Sequence, residues 1–177
     1  FLDKNGDITT KPEEKTFQRL GGGLFTHEAD GTYSAWNALA GKIRTFTGYK
    51  AGYYATGSQN DAFGVGALSG LNGATTGTLN TALGANTLAY LTSGSNNTAV
   101  GQYALLNNTT ASYNTAVGYQ AAYAITTGAN NTAVGRGALY GYLGAGTGAS
   151  NSAFGDLTTF NNSTGNNNTA LGNQALY

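Results

Sequence analysis

The chain has no cysteine among its 177 residues. Disulfide scaffolds, thiolate zinc sites and cysteine nucleophiles are therefore excluded, and stability must come from packing and backbone pairing. Charge is scarce as well: 9% of residues are Asp, Glu, Lys or Arg, against about 25% in an average globular domain. Eight basic and eight acidic side chains cancel, which leaves no electrostatic basis for a nucleic-acid partner or an acidic membrane surface. No apolar run approaches the roughly 20 residues that cross a bilayer, so membrane insertion is not expected. Histidine, proline and tryptophan occur once each. A zinc site would need more nitrogen or sulfur ligands than His27 can supply, and no metal or other cofactor is expected. Glycine, by contrast, is abundant at 28 residues. The chain starts at Phe1 and stops at Tyr177 inside a repeating pattern, and it reads as a piece of something longer.

The charge that is present is unevenly placed. Thirteen of the sixteen charged residues lie in positions 1 to 50, and only Asp61, Arg136 and Asp156 follow. Such a shift marks a boundary between about residues 44 and 58, separating a non-repetitive segment (1–44), suited to attachment or registration, from an array (45–177). Within the first segment, Asn5-Gly6 between apolar ends predicts a small hairpin over residues 1 to 9. Asp3, Asn5 and Asp7 also resemble the start of a calcium loop, but Gly6 falls in the wrong place and Glu14 would have to serve as the bidentate ligand, so turn chemistry is the simpler account. Residues 12 to 20 suit one short helix, ended by Gly21-Gly22-Gly23. Those glycines lack the Lys-Ser or Lys-Thr of a phosphate-binding loop.

The array carries a five-residue motif seven times: Asn60-Asp-Ala-Phe-Gly64, Asn80-Thr-Ala-Leu-Gly84, Asn97-Thr-Ala-Val-Gly101, Asn114-Thr-Ala-Val-Gly118, Asn131-Thr-Ala-Val-Gly135, Asn151-Ser-Ala-Phe-Gly155 and Asn168-Thr-Ala-Leu-Gly172. The steps between Asn residues are 20, 17, 17, 17, 20 and 17. A degenerate eighth unit starts near residue 44, because Gly48-Tyr-Lys-Ala51 echoes Gly64-Val-Gly-Ala67. Glycine at a fixed place, frequent Asn and Thr, and the lack of charged helix formers argue against helix. The fold expected is all-β: a parallel β-solenoid or β-roll with one 17-residue unit per turn, advancing roughly 4.8 Å each. Asn60, Asn80, Asn97, Asn114, Asn131, Asn151 and Asn168 would then stack into a ladder of hydrogen-bonded amides. Gly64, Gly84, Gly101, Gly118, Gly135, Gly155 and Gly172 would supply sharp corners.

Strand residues alternate between faces. The bulky position (Phe63, Leu83, Val100, Val117, Val134, Phe154, Leu171) is expected to fill the coil, which turns the invariant alanine outward, against another chain. A narrow single coil buries little area, so oligomerisation is expected to complete the core.

The run Asn114-Thr-Ala-Val-Gly-Tyr-Gln-Ala121 resembles repeats of bacteriophage tail fibres and related virion appendages. It is also similar in style to the head repeats of trimeric autotransporter adhesins, whose unit is shorter. The likeness covers about residues 45 to 177. It implies a homotrimeric β-rod on a virion, bonded to other structural proteins of the appendage and presenting elements that contact a host-surface glycan or protein. The alternative it implies is a bacterial surface adhesin whose repeats bind the host ligand themselves.

Catalytic chemistry finds little support. Glycoside hydrolysis needs two carboxyl groups about 5 to 9.5 Å apart, whereas Asp61 and Asp156 would stand about 24 Å apart along the coil. A triad could draw only on His27, near Glu28 and Asp30 in sequence. No enzyme is expected. Tyr123, Tyr140, Phe160 and Tyr177 fall nine residues after their Asn, either as a stabilising ladder or as a sugar-stacking face. The two longer units insert residues at Ser69 to Leu79 and at Tyr140 to Ser150, which a solenoid accommodates as bulges. Tyr140, Tyr142 and Leu143 in the second are the candidate ligand contacts.

Overall fold

A computed structural model describes residues 16–20, 23–27, 32–36, 44–71, 73–141 and 146–176. The expected hairpin at 1–9 and the residues of the calcium-like loop lie outside this set. Among the described residues, eleven strands form one sheet in chain order. The first three, β1 (Thr16–Leu20), β2 (Gly23–His27) and β3 (Thr32–Trp36), are an antiparallel meander. The short helix expected up to residue 20 is therefore corrected: Thr16–Leu20 is a strand paired with Gly23–His27. Thr16 and Phe17 favour strands, and pairing with Gly23–His27 overrides the weak helical preference of the segment.

From β4 (Arg44–Tyr49) the sheet changes character. β4 runs antiparallel to β3 on one side and parallel to β5 (Asn60–Phe63) on the other. Each later motif adds one short parallel strand: β6 (Thr81–Leu83), β7 (Thr98–Val100), β8 (Thr115–Val117), β9 (Thr132–Val134), β10 (Ser152–Phe154) and β11 (Thr169–Leu171). The chain is an all-β solenoid of eight parallel strands and seven turns, with no helix among the described residues. Seven steps of about 4.8 Å give a rod some 34 Å long. Register is strict, with Ala82 opposite Ala99 and Ala99 opposite Ala116. Arg44 stands opposite Asn60, in the place an eighth Asn would occupy.

The strand faces are the reverse of the expectation. Asn and Ala point inward and are buried, whereas Thr and the bulky residue point outward, as in the buried-exposed alternation of Asn60–Phe63. Ala62, Ala82, Ala99, Ala116, Ala133 and Ala153 are fully buried within a single chain. The opposite wall supplies the reason. Leu68, Leu88, Leu105 and Leu139, four residues after the corner glycine, reach across and fill the interior, leaving room for a methyl group and no more. At the first turn the sizes are exchanged. Phe46 replaces the alanine and Gly52 replaces the leucine, and a Cβ on Gly52 would collide with the Phe46 ring.

The longer units keep the stack. Leu71 donates its N–H to Ala89 O (2.8 Å) and Thr76 to Thr92 O (2.6 Å), while Gly73 closes on Gly70 O (2.8 Å) between them. Isolated parallel bridges Ala55 to Thr75 and Ile125 to Gly146 resume the pairing.

The corner glycines occupy a backbone region closed to side chains, with φ between +117° and +136°. At Gly101 an added Cβ would also lie 2.6 Å from Gly118 O of the next turn. Gly101→Ala is therefore expected to destabilise the fold by at least about 2 kcal/mol, combining backbone strain with a backbone clash. Urea unfolding followed by circular dichroism checks this, and an unchanged midpoint contradicts the corner role.

Candidate functional site

Two features of the coil are candidates for function: the column of inward amides and the columns of outward side chains. The amides form a brace with a fixed pattern. Asn97 donates its backbone N–H to Asn80 Oδ1 (3.0 Å), and Asn114 and Asn131 repeat this to Asn97 Oδ1 (3.0 Å) and Asn114 Oδ1 (2.8 Å). From Asn60 to Asn151, each Nδ2 donates to a carbonyl three residues before the next Asn. Asn60 reaches Gly77 O (2.8 Å), Asn97 reaches Ala111 O (2.9 Å) and Asn114 reaches Gly128 O (2.9 Å). One amide thus binds the next turn with its oxygen and ties strand to loop with its nitrogen. Six such asparagines, Asn60 to Asn151, are completely enclosed or nearly so, where an amide without partners would be costly. Asn168 closes the described ladder by donating its N–H to Asn151 Oδ1 (3.0 Å).

Arg44 heads the column. Its Nη1 donates to Ala55 O (2.8 Å) and its Nη2 to Thr56 O (2.6 Å), the same kind of cross-brace made by a longer side chain. Burial pushes the guanidinium pKa down from the ordinary arginine value, because desolvation disfavours the charged form. Its Nε is buried without a partner. A second set of hydroxyls repeats the brace along another wall: Thr92 Oγ1 donates to Thr109 O (2.9 Å) and Thr109 Oγ1 to Thr126 O (3.1 Å).

The outward columns are of a different kind. Thr81, Thr98, Thr115 and Thr132 stand beside Leu83, Val100, Val117 and Val134, in register from turn to turn. Phe63, Leu83, Val117 and Phe154 are 37 to 48% exposed in the single chain. Asp61, beside Phe63, is the only charge in these two columns. With strand residues i and i+2 separated by about 7 Å, the columns and their flanks make a flat band of roughly 34 by 14 Å. Val65 and Tyr119, each one residue past a corner glycine, extend its apolar edge and are 54% and 45% exposed. The band carries few charges, Asp61 within it and Arg136 and Asp156 on the flank, and at roughly 480 Å² it matches the largest patches found on monomers, which are often functional.

The aromatic column that follows the asparagines by nine residues is a ladder. Tyr123 and Tyr140 stack with centroids 4.9 Å apart and planes 5° apart, and Tyr140 and Phe160 at 4.8 Å and 12°. Both faces of Tyr140 are therefore taken by its neighbours, which removes the surface a sugar would stack on. Tyr142 and Leu143, its companions as candidate contacts, lie outside the described residues, as does Tyr177.

Titratable groups are sparse here. Arg136 Nη2 meets Asp156 Oδ2 at 2.7 Å, an exposed pair between adjacent turns, of a type that contributes little to stability. Among the described residues no three His, Cys, Asp or Glu side chains come together. His27 lies in β2, on a strand of the antiparallel meander.

No protein-family model, curated protein or solved structure matches the chain.

Proposed function

We propose that the chain is a structural segment of a homotrimeric fibre, in a phage tail or comparable virion appendage. The observation that carries this reading is the outward band of Thr and bulky apolar residues, repeated in register along the sheet with Asp61 as the one charge in its two columns. A flat band of this kind fits a second and third copy of itself, because in-register repetition gives every turn the same partner surface. The bulky column then lies between chains, and the alanine column stays inside each one. A rod of fixed rise with little charge serves as a spacer: its length follows from the number of turns, and each turn depends only on its neighbours. Catalysis is no part of this reading, and neither is a metal.

Sedimentation of residues 1–177 tests the assembly, with an expected mass of three times 18.0 kDa. A folded monomer at micromolar concentration would remove the fibre reading. Immunogold labelling of virus particles carrying the chain tests the location, and label on the bacterial envelope alone would favour a surface adhesin instead.

A further inference from the structure

We propose that the first turn of the solenoid carries a saccharide-binding platform, formed by Tyr49, Tyr53 and Tyr54 around Lys50, and that its ligand is a carbohydrate bearing a carboxylate. The three rings are 41%, 54% and 52% exposed, the densest group of exposed aromatics among the described residues. Their environment differs from that of the stacked column further along. Tyr53 occupies the same repeat position as Tyr123, Tyr140 and Phe160. Its neighbour on the next turn is Ser69, however, as the bond from Tyr54 N–H to Ser69 O (3.2 Å) establishes. No aromatic ring of that turn covers its face. Tyr53 and Tyr54 instead meet edge to face, with centroids 4.6 Å apart and planes at 87°. An arrangement of this kind leaves ring faces directed to solvent, where the C–H face of a pyranose packs.

Lys50 supplies the charge. Its Nζ lies 5.3 Å from the Tyr49 ring centre and 5.9 Å from that of Tyr53, within cation–π range of both. No carboxylate among the described residues pairs with it, whereas Arg136 has Asp156 and Arg44 is committed to backbone carbonyls. The equivalent positions of the next turns hold Gly66, Asn86, Tyr103 and Gln120, none charged. An ammonium held beside aromatic rings, with no anion among the described residues, is complementary to a carboxylate on a ligand that also stacks on those rings.

The platform is rigid before any ligand arrives. Gly52 donates to Ala67 O (2.8 Å), Ala51 to Gly48 O (3.1 Å) and Ala55 to Gly52 O (2.9 Å). Gly52 also sits against the Phe46 ring with no space for a side chain. Little ordering is left to do on binding, which favours a shallow exposed site.

The platform is independent of the fibre reading, because binding by a monomer and binding by a trimer are both readable. The test uses residues 1–177 with two acidic probes, tetragalacturonate and trisialic acid, and with neutral galactotetraose. Titration is followed by calorimetry and by the ring resonances of the tyrosines. At least one acidic probe should bind below about 10 mM and shift the rings of Tyr49, Tyr53 or Tyr54, and galactotetraose should bind a few-fold more weakly. Lys50→Gln should abolish that preference. Tyr53→Ala or Tyr54→Ala should weaken binding about tenfold, and Tyr140→Ala should leave it unchanged. Circular dichroism identifies any variant that fails to fold, and the ring shifts of the parent protein need no variant. Absence of binding by both acidic probes overturns the proposal, as does binding that survives both tyrosine replacements in folded protein or that moves only with Tyr140→Ala. Equal binding of acidic and neutral probes overturns the role given to Lys50 and to the carboxylate.

Discussion

Replacing Asn114 by Leu should cost the array about 2 to 6 kcal/mol and break it in the middle. The leucine leaves the Asn131 N–H without its acceptor and the Gly128 carbonyl without its donor. Each orphaned buried group costs about 1 to 3 kcal/mol. Position along the ladder should matter, since each turn depends on its neighbours. Asn168→Leu, at the last described rung, leaves no following described turn to lose its acceptor and should cost less than Asn114→Leu. Asn173→Leu on the exposed surface should stay within about 0.5 kcal/mol of the parent. Urea unfolding gives the totals, and native-state hydrogen exchange shows whether protection is lost first around residues 114 to 131. Equal costs at Asn114 and Asn168 would mean that the amides are not the brace.

Adjacent substitutions on β8 should separate folding from assembly. Ala116 is fully buried in one chain, and Val117 next to it is 37% exposed. Ala116→Glu puts four extra heavy atoms, an unpaired carboxylate among them, into a space sized for a methyl, so the solenoid itself should fail, at a cost of several kcal/mol. Val117→Glu leaves the interior untouched and should keep the β-sheet circular dichroism of the parent. It should, however, introduce three like charges at one level of the proposed trimer and shift sedimentation toward monomer. A folded Ala116→Glu chain would contradict the inward alanine. A Val117→Glu chain that still sediments as a trimer would remove the outward band from the interface.

The two positions also mark where sequence reasoning reached and where it stopped. The strand was legible in the motif, because Thr and Val between Asn and a corner Gly suit a strand and not a helix, and a strand carries a period of two. Its phase was not. Size alone suggests that valine and phenylalanine belong inside, and a one-residue change of phase exchanges every side chain between core and solvent. The residue that decides the matter is the leucine four places after the corner glycine. Its reach across the coil is a property of the closed turn and has no signature in the strand. Tyr140 shows the same limit. Its spacing placed it in an aromatic column, but only the stacking distances show that its faces are occupied. Tyr53 holds the same repeat position with a serine as neighbour, a difference visible in the letters once the turns are aligned.

The sequence by itself determined the architecture: all-β, one turn per 17 residues, three-residue insertions absorbed without loss of stacking. Repetition makes these inferences secure, because seven copies of one local solution can satisfy their backbone groups only by stacking in register. Short helix or strand preferences without repetition, as in Thr16–Leu20, were decided by which partner strand lay alongside. The tertiary structure alone decided which face of each strand is the core, which amides brace which carbonyls, and which aromatic faces remain open. Those outcomes depend on volumes and distances across the closed coil and between its turns, which the order of residues along one strand does not carry.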